Sequence, residues 1–414
     1  MTPVDSFDDV VVVGAGIAGC ALATMLARGG LSVLVLERST EYVDRVRGEY
    51  MHPWGVSETQ QLGVLDSLVE AGGNFLTQFV GYDEVVTPAE AEAAPNPLAE
   101  LIAGVPGALA MRHPVACTAL EAAAVEAGAR VVRGVSNVAV TAGPSPEVTY
   151  TAGGVVGGAR ARLVVGADGR ESAVRRQLGI GIQHNEPRVV MGGLLVEDLD
   201  WPATDATIGT EGDRIFFIFP QLEGRARLYL SVPVELRERL SGEKKTAAFL
   251  ASFRLAAVPN CDRLADATPA GPCAAYPMHD SWTTTPCVEG AALIGDAAGF
   301  SDPTIGEGLS IALRDARLLG EALLGGGDWS PAALASYSDE RSERMRRLRF
   351  CASVFTDVHI PLGPERIGER RRRMELFGTD PDLFMVVAAM ACGPELAPAE
   401  CFDHRVRAKL LTPP

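Results

Sequence analysis

The first part of the chain alternates short, continuously apolar runs with helical patterns. Residues 10–13 are four valines, residues 31–36 form a second apolar run, and small residues at helical spacing lie between them. A strand that is buried on both faces of a parallel sheet reads as an unbroken apolar run, and a helix connects it to the next strand. The pattern therefore predicts a strand, a helix and a second, parallel strand at the start of the chain.

A different pattern occupies the middle of the chain. Residues 191–196, 214–219 and 226–234 are strand-like runs that follow one another through turns, without a helical pattern between them. Residues 75–86 alternate apolar and polar side chains like a strand, and a linker rich in Pro and Ala follows as far as residue 97. Consecutive strands without crossover helices indicate an antiparallel sheet, which we expect to form a second, substrate-side domain.

These patterns predict an α/β fold in three parts. The first is a discontinuous parallel-sheet domain over residues 1–73, 98–182 and 273–330. An antiparallel sheet is inserted into it over residues 74–97 and 183–272. Residues 331–414 form a C-terminal helical region that starts with a charged helix through residue 349, and we expect these helices to cover the first domain.

Composition and charge exclude several classes of partner. The chain has 414 residues, with 47% hydrophobic and 22% charged side chains, as in a globular protein of more than one domain. Its formal net charge is −16, which would repel a nucleic-acid backbone or an anionic membrane. The four consecutive arginines at residues 370–373 follow Glu365 and Glu369 on a predicted helix, which indicates a solvated, salt-bridged face rather than an anion site.

The cysteines indicate a reducing compartment. The eight cysteines form no CxxC pair, and no histidine stands at metal-ligand spacing from them. This arrangement is typical of reduced, mostly buried thiols in a cytoplasmic protein. We therefore expect a cytoplasmic location, no metal site and no membrane or nucleic-acid partner.

The first chemical motif lies directly after the four valines. Gly14, Gly16 and Gly19 have the spacing GxGxxG between a predicted strand and helix. The first glycine allows the tight turn, the second lets a pyrophosphate approach the backbone, and the third allows close helix packing. Glu37 ends the second predicted strand, where a carboxylate can accept the hydroxyls of an adenosine ribose. The segment predicts a Rossmann-like dinucleotide-binding domain.

Two further glycine-bearing motifs also follow buried strands. The first, VVGADGRESAVRRQLG, contains Asp168 and Gly169, and Ser172 is a candidate cap for the helix that follows. The second, GDAAGFSDPTIGEG, has Asp296 after a strand, and its last glycines precede a helix near Leu309. Backbone amides at a helix start can face an electron-rich ring, and Asp296 can hold sugar hydroxyls. A turn residue without a ligand is the alternative for Asp296.

Together, GAGIAG with Glu37, GADGRES with Arg175, and GDAAGFSDPTIGEG resemble the FAD-dependent class A flavoprotein monooxygenases, which share the fold of para-hydroxybenzoate hydroxylase. The resemblance implies that the first domain binds FAD. Arg112, at the entrance of a predicted helix, would approach the pyrophosphate, and Asp168 would border a groove shared with a nicotinamide cofactor. The residues that would contact FAD are Gly14, Ala15, Gly16, Ile17, Ala18, Gly19, Glu37, Arg38, Arg47, Arg112, Asp168, Asp296, Gly306, Gly308 and Leu309.

The resemblance also implies a reaction. NAD(P)H would reduce FAD, and a flavin C4a-hydroperoxide would deliver one oxygen atom to a small aromatic, heteroaromatic or hydrophobic substrate, by hydroxylation or epoxidation, in secondary metabolism. Because the chain has one GxGxxG motif, NAD(P)H would use the shared groove, or a partner flavin reductase would supply the electrons. The candidate catalytic residues are Arg47, Glu49, His52, Tyr276 and His279, although a structural role is the alternative for both histidines.

The chain departs from the hydroxylase pattern at two positions, Gly299 after GDAA and Ser310 after the last Gly-x-Gly. The segment RGEYMHP is instead similar to the flavin loop of geranylgeranyl reductases and flavin-dependent halogenases. Halogenation is disfavoured because the tryptophans form no WxWxIP motif. Two alternatives stay open: a flavin-dependent reductase of isoprenoid-type double bonds, and a flavin electron carrier that does not oxygenate a substrate.

Overall fold

A computed structural model describes residues 6–360 and 363–412. The strands of the first half are β1 (Ser6–Val13), β2 (Val33–Glu37), β3 (Tyr50–Met51), β4 (Asn74–Leu76), β5 (Gln78–Asp83), β6 (Asn96–Pro97), β7 (Ala108–Ala110), β8 (Arg130–Arg133), β9 (Ser136–Thr141), β10 (Glu147–Ala152) and β11 (Val155–Gly166). The later strands are β12 (Gln183–His184), β13 (Val189–Glu197), β14 (Asp205–Glu211), β15 (Arg214–Gln221), β16 (Arg225–Pro233), β17 (Thr268–Pro269), β18 (Ala274–Met278), β19 (Ser281–Trp282), β20 (Cys287–Val288) and β21 (Ala291–Leu293).

The helices concentrate at the two ends of the chain. The α-helices are α1 (Ile17–Arg28), α2 (Pro53–Gln61), α3 (Leu65–Glu70), α4 (Pro88–Ala93), α5 (His113–Glu126), α6 (Ala173–Gln177), α7 (Lys245–Ala251), α8 (Cys261–Ala265), α9 (Gly308–Gly325), α10 (Ala335–His359), α11 (Ile367–Thr379), α12 (Pro381–Cys392) and α13 (His404–Leu411). Two short 3-10 turns, Gly295–Ala298 and Pro303–Ile305, lie between β21 and α9.

The first sheet is the predicted parallel one. Its strands lie in the order β20-β21-β11-β1-β2-β8, and β1 pairs in parallel with both β11 and β2. The buried valines of β1 contact helices on one face and a smaller cluster on the other. The carboxyl ends of β1, β11 and β21 therefore meet at one edge, and each leads directly into one of the three glycine-bearing motifs.

The second sheet is mainly antiparallel, in the order β17-β13-β16-β15-β14-β5-β6, with β18 added beside β13. The pair of β5 with β14 is the parallel exception. The predicted strand over residues 75–86 is two strands, β4 and β5, because β4 pairs with β7 in a small third sheet of order β3-β7-β4 whereas β5 joins the second sheet. The predicted linker contains α4, whose first turn is closed by a capping box between Thr87 and Glu90.

The C-terminal helices correct one expectation. Residues of α10, α11 and α12 pack in one apolar cluster with Phe217 and Phe219 of the second sheet, so these helices close the second sheet rather than only covering the first. The charged helix begins at Ala335 and continues to His359. The predicted solvated arginine face is also wrong for Arg370, which is buried and ion-paired with Glu84.

The fold class predicted from the sequence is confirmed: a Rossmann-like α/β core, an antiparallel sheet and C-terminal helices. The cysteines are free thiols, and most are buried. Among the described residues, no helix is long and apolar enough to cross a membrane. The same residues contain no group of three His, Cys, Asp or Glu side chains that could hold a metal ion.

Candidate flavin and substrate site

One large cavity lies between the two main sheets and reaches the C-terminal helices. Its volume is about 1280 Å³, above the roughly 300–1,000 Å³ that is usual for a single small-molecule site. All three glycine-bearing motifs line it, through Gly16, Gly169 and Gly308 among others. The cavity has room for a large cofactor together with a second ligand.

The first motif forms a sharp turn between β1 and α1. Gly14 has a φ of +110°, and a Cβ built there would overlap the carbonyl oxygen of Ala167. A Cβ on Gly19 would overlap the carbonyl oxygen of Gly14, so Gly19 allows close packing. A Cβ on Gly16 meets nothing within 4 Å, and this residue lines the cavity. Gly16 thus leaves space for a phosphate beside the first amides of α1.

Glu37 is held at the end of β2 by two backbone amides. Its carboxylate accepts hydrogen bonds of 2.8 Å from the amides of Ala15 and Ser39. Each carboxylate oxygen has a second lone pair, so these bonds fix the orientation of Glu37 without exhausting its capacity to accept. Glu37 and the adjacent Arg38 both line the cavity.

In the second motif, the carboxylate of Asp168 is engaged by the protein itself. It accepts hydrogen bonds from the hydroxyl of Ser172 at 2.5 Å and from the amides of Ala173 and Val174 at 2.7 and 3.1 Å. The Ser172 hydroxyl accepts from the amide of Arg175, as expected of a helix cap. Asp168 therefore holds the start of α6, and it borders the cavity beside Gly169.

The third motif places Asp296 and the start of α9 on the same cavity. Asp296 forms an ion pair of 3.2 Å with Arg170. Gly306 has a φ of +70°, which the turn before α9 requires, and a Cβ on Gly308 would meet nothing within 4 Å. The amides at the start of α9 are therefore accessible to an electron-rich ring, and Leu309 lines the cavity beside them.

The residues present fit FAD. The carboxylates of Glu37 and Asp296 suit the hydroxyls of a ribose and a ribityl chain, and the starts of α1 and α9 suit phosphates and a polar ring edge. All of these groups line one continuous cavity. At Gly16 and Gly308 the absence of a side chain leaves open space. The donor set and the shape both match an extended dinucleotide.

The loop after β2 contributes a buried charge network to the cavity wall. Glu49, which is 1% exposed, accepts hydrogen bonds from Tyr229 Oη at 2.5 Å and from Arg227 Nη2 at 2.8 Å. Arg227 is fully buried and also pairs with Asp44 at 2.6 Å. The network ties the loop to β16 of the second sheet, so Glu49 joins the two domains beside the cavity.

His52 supports the turn that precedes α9. Its Nε2 lies 2.8 Å from the carbonyl oxygen of Ile305, and its Nδ1 lies 3.3 Å from the hydroxyl of Tyr50. Burial lowers the pKa of His52 to about 4, so the imidazole is neutral at pH 7. A neutral ring that donates to Ile305 holds the backbone just before Gly306, and His52 itself lines the cavity.

Arg47 and Tyr276 lie together at the cavity. The guanidinium of Arg47 is 5.7 Å from the centre of the Tyr276 ring, and the Tyr276 hydroxyl donates to the carbonyl oxygen of Arg45 at 2.5 Å. Burial lowers the pKa of Arg47, and the neighbouring charge of Arg170 lowers it further. Arg45, Arg47 and Arg170 form a positively charged group in the cavity lining.

Four predicted site residues are not in the cavity lining: Ala15 and Gly19, which lie in the turn before and within α1, and Arg112 and His279. Arg112 is exposed at the N-cap of α5, and the next residue, His113, lines the cavity instead. His279 packs with its ring centre 5.2 Å from that of Phe300 and is not part of the cavity lining. The roles proposed for Arg112 and His279 therefore have no contact with the cavity to support them.

The sequence did not predict an apolar chamber in the cavity, because the residues that form it come from distant parts of the chain. We define it by Phe79, Ile208, Phe217, Phe219, Met374 and Phe377, all in the cavity lining. Phe219 stacks on Tyr50 with ring centres 4.5 Å apart, and Phe79 lies 5.7 Å from the same tyrosine. The aromatic residues of β15 gave a partial signal in the sequence, whereas the C-terminal helices gave none.

Glu307 is a further residue that was not predicted. It stands between Gly306 and Gly308, is fully buried, and accepts a hydrogen bond of 2.8 Å from Trp54 Nε1. Burial raises the pKa of Glu307 well above its usual range, which favours the neutral acid. The position of a charged residue between two glycines was the feature of the sequence that could have indicated a specific contact for Glu307.

Comparisons with known proteins agree with this geometry. The family described as FAD binding domain matches residues 8–349. Rifampicin monooxygenase of Streptomyces venezuelae is 27% identical over 401 residues, which cover 90% of this chain and 72% of that protein. Digeranylgeranylglycerophospholipid reductase 1 of Methanococcoides burtonii is 28% identical over 348 residues, which cover 81% of this chain and 77% of that protein.

A solved structure shows the same fold at greater sequence distance. The flavin-dependent brominase Bmp2 superposes with a TM-score of 0.72 at 19% identity and covers 98% of this chain and 97% of that one. The resemblances to monooxygenases and to geranylgeranyl reductases are confirmed, and the brominase shares the fold. The chain belongs to the FAD binding domain family, and it is an FAD-dependent monooxygenase.

Proposed function

We propose that this protein inserts one oxygen atom from dioxygen into a small aromatic or otherwise hydrophobic substrate, by hydroxylation or epoxidation, with NAD(P)H as the electron donor. The observation that carries the proposal is that one cavity connects the three glycine-bearing turns to the apolar chamber. A substrate in the chamber would lie next to the turn over residues 306–309. Fold similarity alone would not place a substrate next to this turn, since proteins with unrelated activities share folds.

In this proposal the three turns hold FAD, which when bound supplies the reaction with dioxygen and the two electrons taken from NAD(P)H. The protein supplies orientation and a dry environment. Neutral His52 holds the carbonyl of Ile305, which fixes the backbone of the turn beside the ring. Phe217 and Phe219 are 5% and 7% exposed, and their apolar rings would disfavour water beside the reacting atoms.

The electron donor would approach the group formed by Arg45, Arg47 and Arg170. These guanidinium groups line the cavity beside Asp296, and arginine is well suited to bind phosphates. We assign them to the phosphates of NAD(P)H in the groove beside Gly169. If a separate flavin reductase supplies the electrons instead, NAD(P)H alone would fail to bleach the bound flavin.

The chamber also supports a second candidate, reduction of an isoprenoid-type double bond. The similarity to a digeranylgeranylglycerophospholipid reductase and the apolar lining favour it. The two candidates differ in oxygen use, because a reductase consumes NAD(P)H without taking up dioxygen. Oxygenation is preferred because the similarity to a monooxygenase covers more of this chain.

The test is turnover of the FAD-loaded protein with a panel of aromatic, heteroaromatic and isoprenoid compounds. NADPH oxidation, oxygen uptake and product mass are measured under isotopically labelled dioxygen. Incorporation of one labelled atom supports the proposal, whereas a product heavier by two hydrogens supports the reductase. Phe217→Leu in the chamber should reduce product per NADPH, and Leu222→Ala, at an exposed turn, serves as the control.

A further inference from the structure

A polar cluster interrupts the apolar wall of the cavity. We call Asp83, Thr210 and His359 the distal cluster. Asp83 is the last residue of β5, Thr210 is its partner in the register of β14, and His359 ends α10. Thr210 Oγ1 lies 2.9 Å from His359 Nδ1. Asp83 and His359 both line the cavity, and the function described above uses neither.

One carboxylate oxygen of Asp83 has no hydrogen bond of ordinary geometry. The residue is 2% exposed, and its Oδ1 accepts a hydrogen bond of 3.0 Å from the Val85 amide. Its Oδ2 is buried and makes no such bond with the described residues, although the Thr210 hydroxyl lies close enough to lower the pKa of Asp83. Buried polar groups in native proteins nearly always have partners, so such an atom in a cavity wall indicates a ligand or an ordered water.

The charges around the distal cluster favour a hydrogen-bond donor. Burial raises the pKa of Asp83 to about 6, while the Val85 amide, the charge of Arg370 and the Thr210 hydroxyl each lower it, so Asp83 is mainly ionised at pH 7. Burial lowers the pKa of His359 to about 4, so this ring is neutral. Arg370 pairs with Glu84, and the local charge stays negative.

The distal cluster is far from the flavin end of the cavity. Phe79 and Asp83 lie on the same strand, and four residues at a rise of about 3.3 Å separate them by about 13 Å. The ring of Phe79 is 5.7 Å from that of Tyr50, which lies against Gly306. Gly81 and Ile208 line the cavity between the two ends. A ligand that touches both ends is elongated and apolar in its middle.

We propose that the distal cluster binds a hydrogen-bond-donating group, an amine or a hydroxyl, at the far end of an elongated and otherwise apolar substrate. The inference rests on the proposed function, since it assumes that the reacting end of the same molecule lies near Tyr50. It adds a substrate class: an aromatic or alkenyl head joined through an apolar body to a polar terminus. Asp83 accepts the hydrogen bond, and Thr210 and His359 orient the terminus.

The experiment compares three probes that differ at one end. They are para-octylphenol and its derivatives with a terminal hydroxyl or a terminal amine in place of the methyl group. Dissociation constants are measured by tryptophan fluorescence on FAD-loaded wild type, D83N and the control D205N. Asp205 is on the same strand as Thr210 but outside the cavity lining. In wild type and D205N we expect the amine to bind about tenfold more tightly than the methyl compound.

In D83N that preference should disappear while the affinity for para-octylphenol stays unchanged. Equal affinity of wild type for all three probes would overturn the inference, as would an equal weakening of all three by D83N. If D83N does not fold, Thr210→Val, which preserves the shape of the side chain, is used in its place. We expect this variant to show a reduced preference for the amine over para-octylphenol. Binding is measured without turnover, so a failure of oxygen incorporation would contradict the proposed function while leaving this preference intact.

Discussion

The carboxylate of Glu37 accepts a 2.8 Å hydrogen bond from the backbone amide of Ala15, inside the turn over residues 14–19. The residue at the end of β2 is thus joined directly to the glycine motif after β1. The sequence predicted Glu37 beside a ribose and the glycine motif beside a pyrophosphate, and the contact explains how the Glu37 side chain is kept in position. Its removal should affect cofactor affinity more than folding.

Glu37→Gln is expected to weaken FAD binding by about 10- to 100-fold, because hydrogen bonds to a charged acceptor contribute roughly 1.5–3 kcal/mol. The measurement is a titration of apoprotein with FAD, followed by flavin fluorescence. Glu126→Gln on the exposed side of α5 is the matched control and should bind FAD like wild type. Unchanged affinity in E37Q would remove Glu37 from the cofactor site.

Gly14 and Gly16 should respond differently to alanine. Gly14→Ala strains a residue at φ +110° and drives a Cβ into the carbonyl of Ala167, so thermal stability should fall. Gly16→Ala fills open space and strains nothing, so stability should persist while FAD affinity falls. Differential scanning fluorimetry of apoproteins together with FAD titration separates the two effects. Equal loss of stability in both variants would contradict the assignment of Gly16 to a ligand.

His52 should make stability depend on pH. Its pKa of about 4 in the folded protein lies below the usual 6.5, so the unfolded chain binds the proton more readily between these values. The contribution of neutral His52 to the free energy of unfolding is fully present above pH 6.5 and is lost as the pH falls towards 4. Buried Asp280, whose pKa burial raises to about 7, acts in the opposite direction, so wild type alone would not isolate the effect.

The comparison is therefore between wild type and His52→Gln, in which the other groups cancel. The slope of the unfolding free energy against pH should be lower in H52Q by up to about 1.4 kcal/mol per pH unit between pH 4 and 6.5. Urea denaturation at several pH values measures it. Parallel curves for the two proteins would show that His52 is accessible to protons in the folded state.

Glu307 should tolerate an amide but not truncation. Because burial raises the pKa of Glu307 and so favours its neutral form, Glu307→Gln preserves the acceptor for Trp54 and should change stability by less than about 1 kcal/mol. Glu307→Ala leaves the indole N–H of Trp54 buried without its partner and creates a cavity, which should cost about 2–5 kcal/mol. Denaturant midpoints distinguish the two. A large loss in E307Q would mean that the carboxylate is ionised.

Local signals predicted the cofactor side of the molecule well. The spacing of Gly14, Gly16 and Gly19 and the apolar runs beside them act within about 30 residues, where periodicity and turn chemistry determine structure. The role of Asp168 was harder to predict from the sequence. Its carboxylate accepts hydrogen bonds from Ser172 and Ala173 and so caps a helix, and the sequence motif alone does not distinguish this role from ligand binding. Which role applies depends on the direction of the Asp168 side chain.

Long-range packing accounts for most of what the sequence did not predict. The charged helix that became α10 could be predicted, but whether it contacts the first or the second sheet depends on residues more than 100 positions away. Thr210 and His359 likewise meet across 149 positions. His279 was expected over the flavin because its strand returns towards the core, and in the structure its ring packs against Phe300 and is not part of the cavity lining.

The walls of the cavity come from separate stretches of the chain. The turns that fit FAD lie before residue 310, whereas the lining residues Met374 and Phe377 of α11 and Val387 of α12 follow it. Substitutions in α11 and α12 can therefore change which substrates fit the cavity without changing the turns that fit FAD. Within a lineage of such proteins, substrate range should diversify faster at the carboxyl-terminal end of the gene than at its beginning.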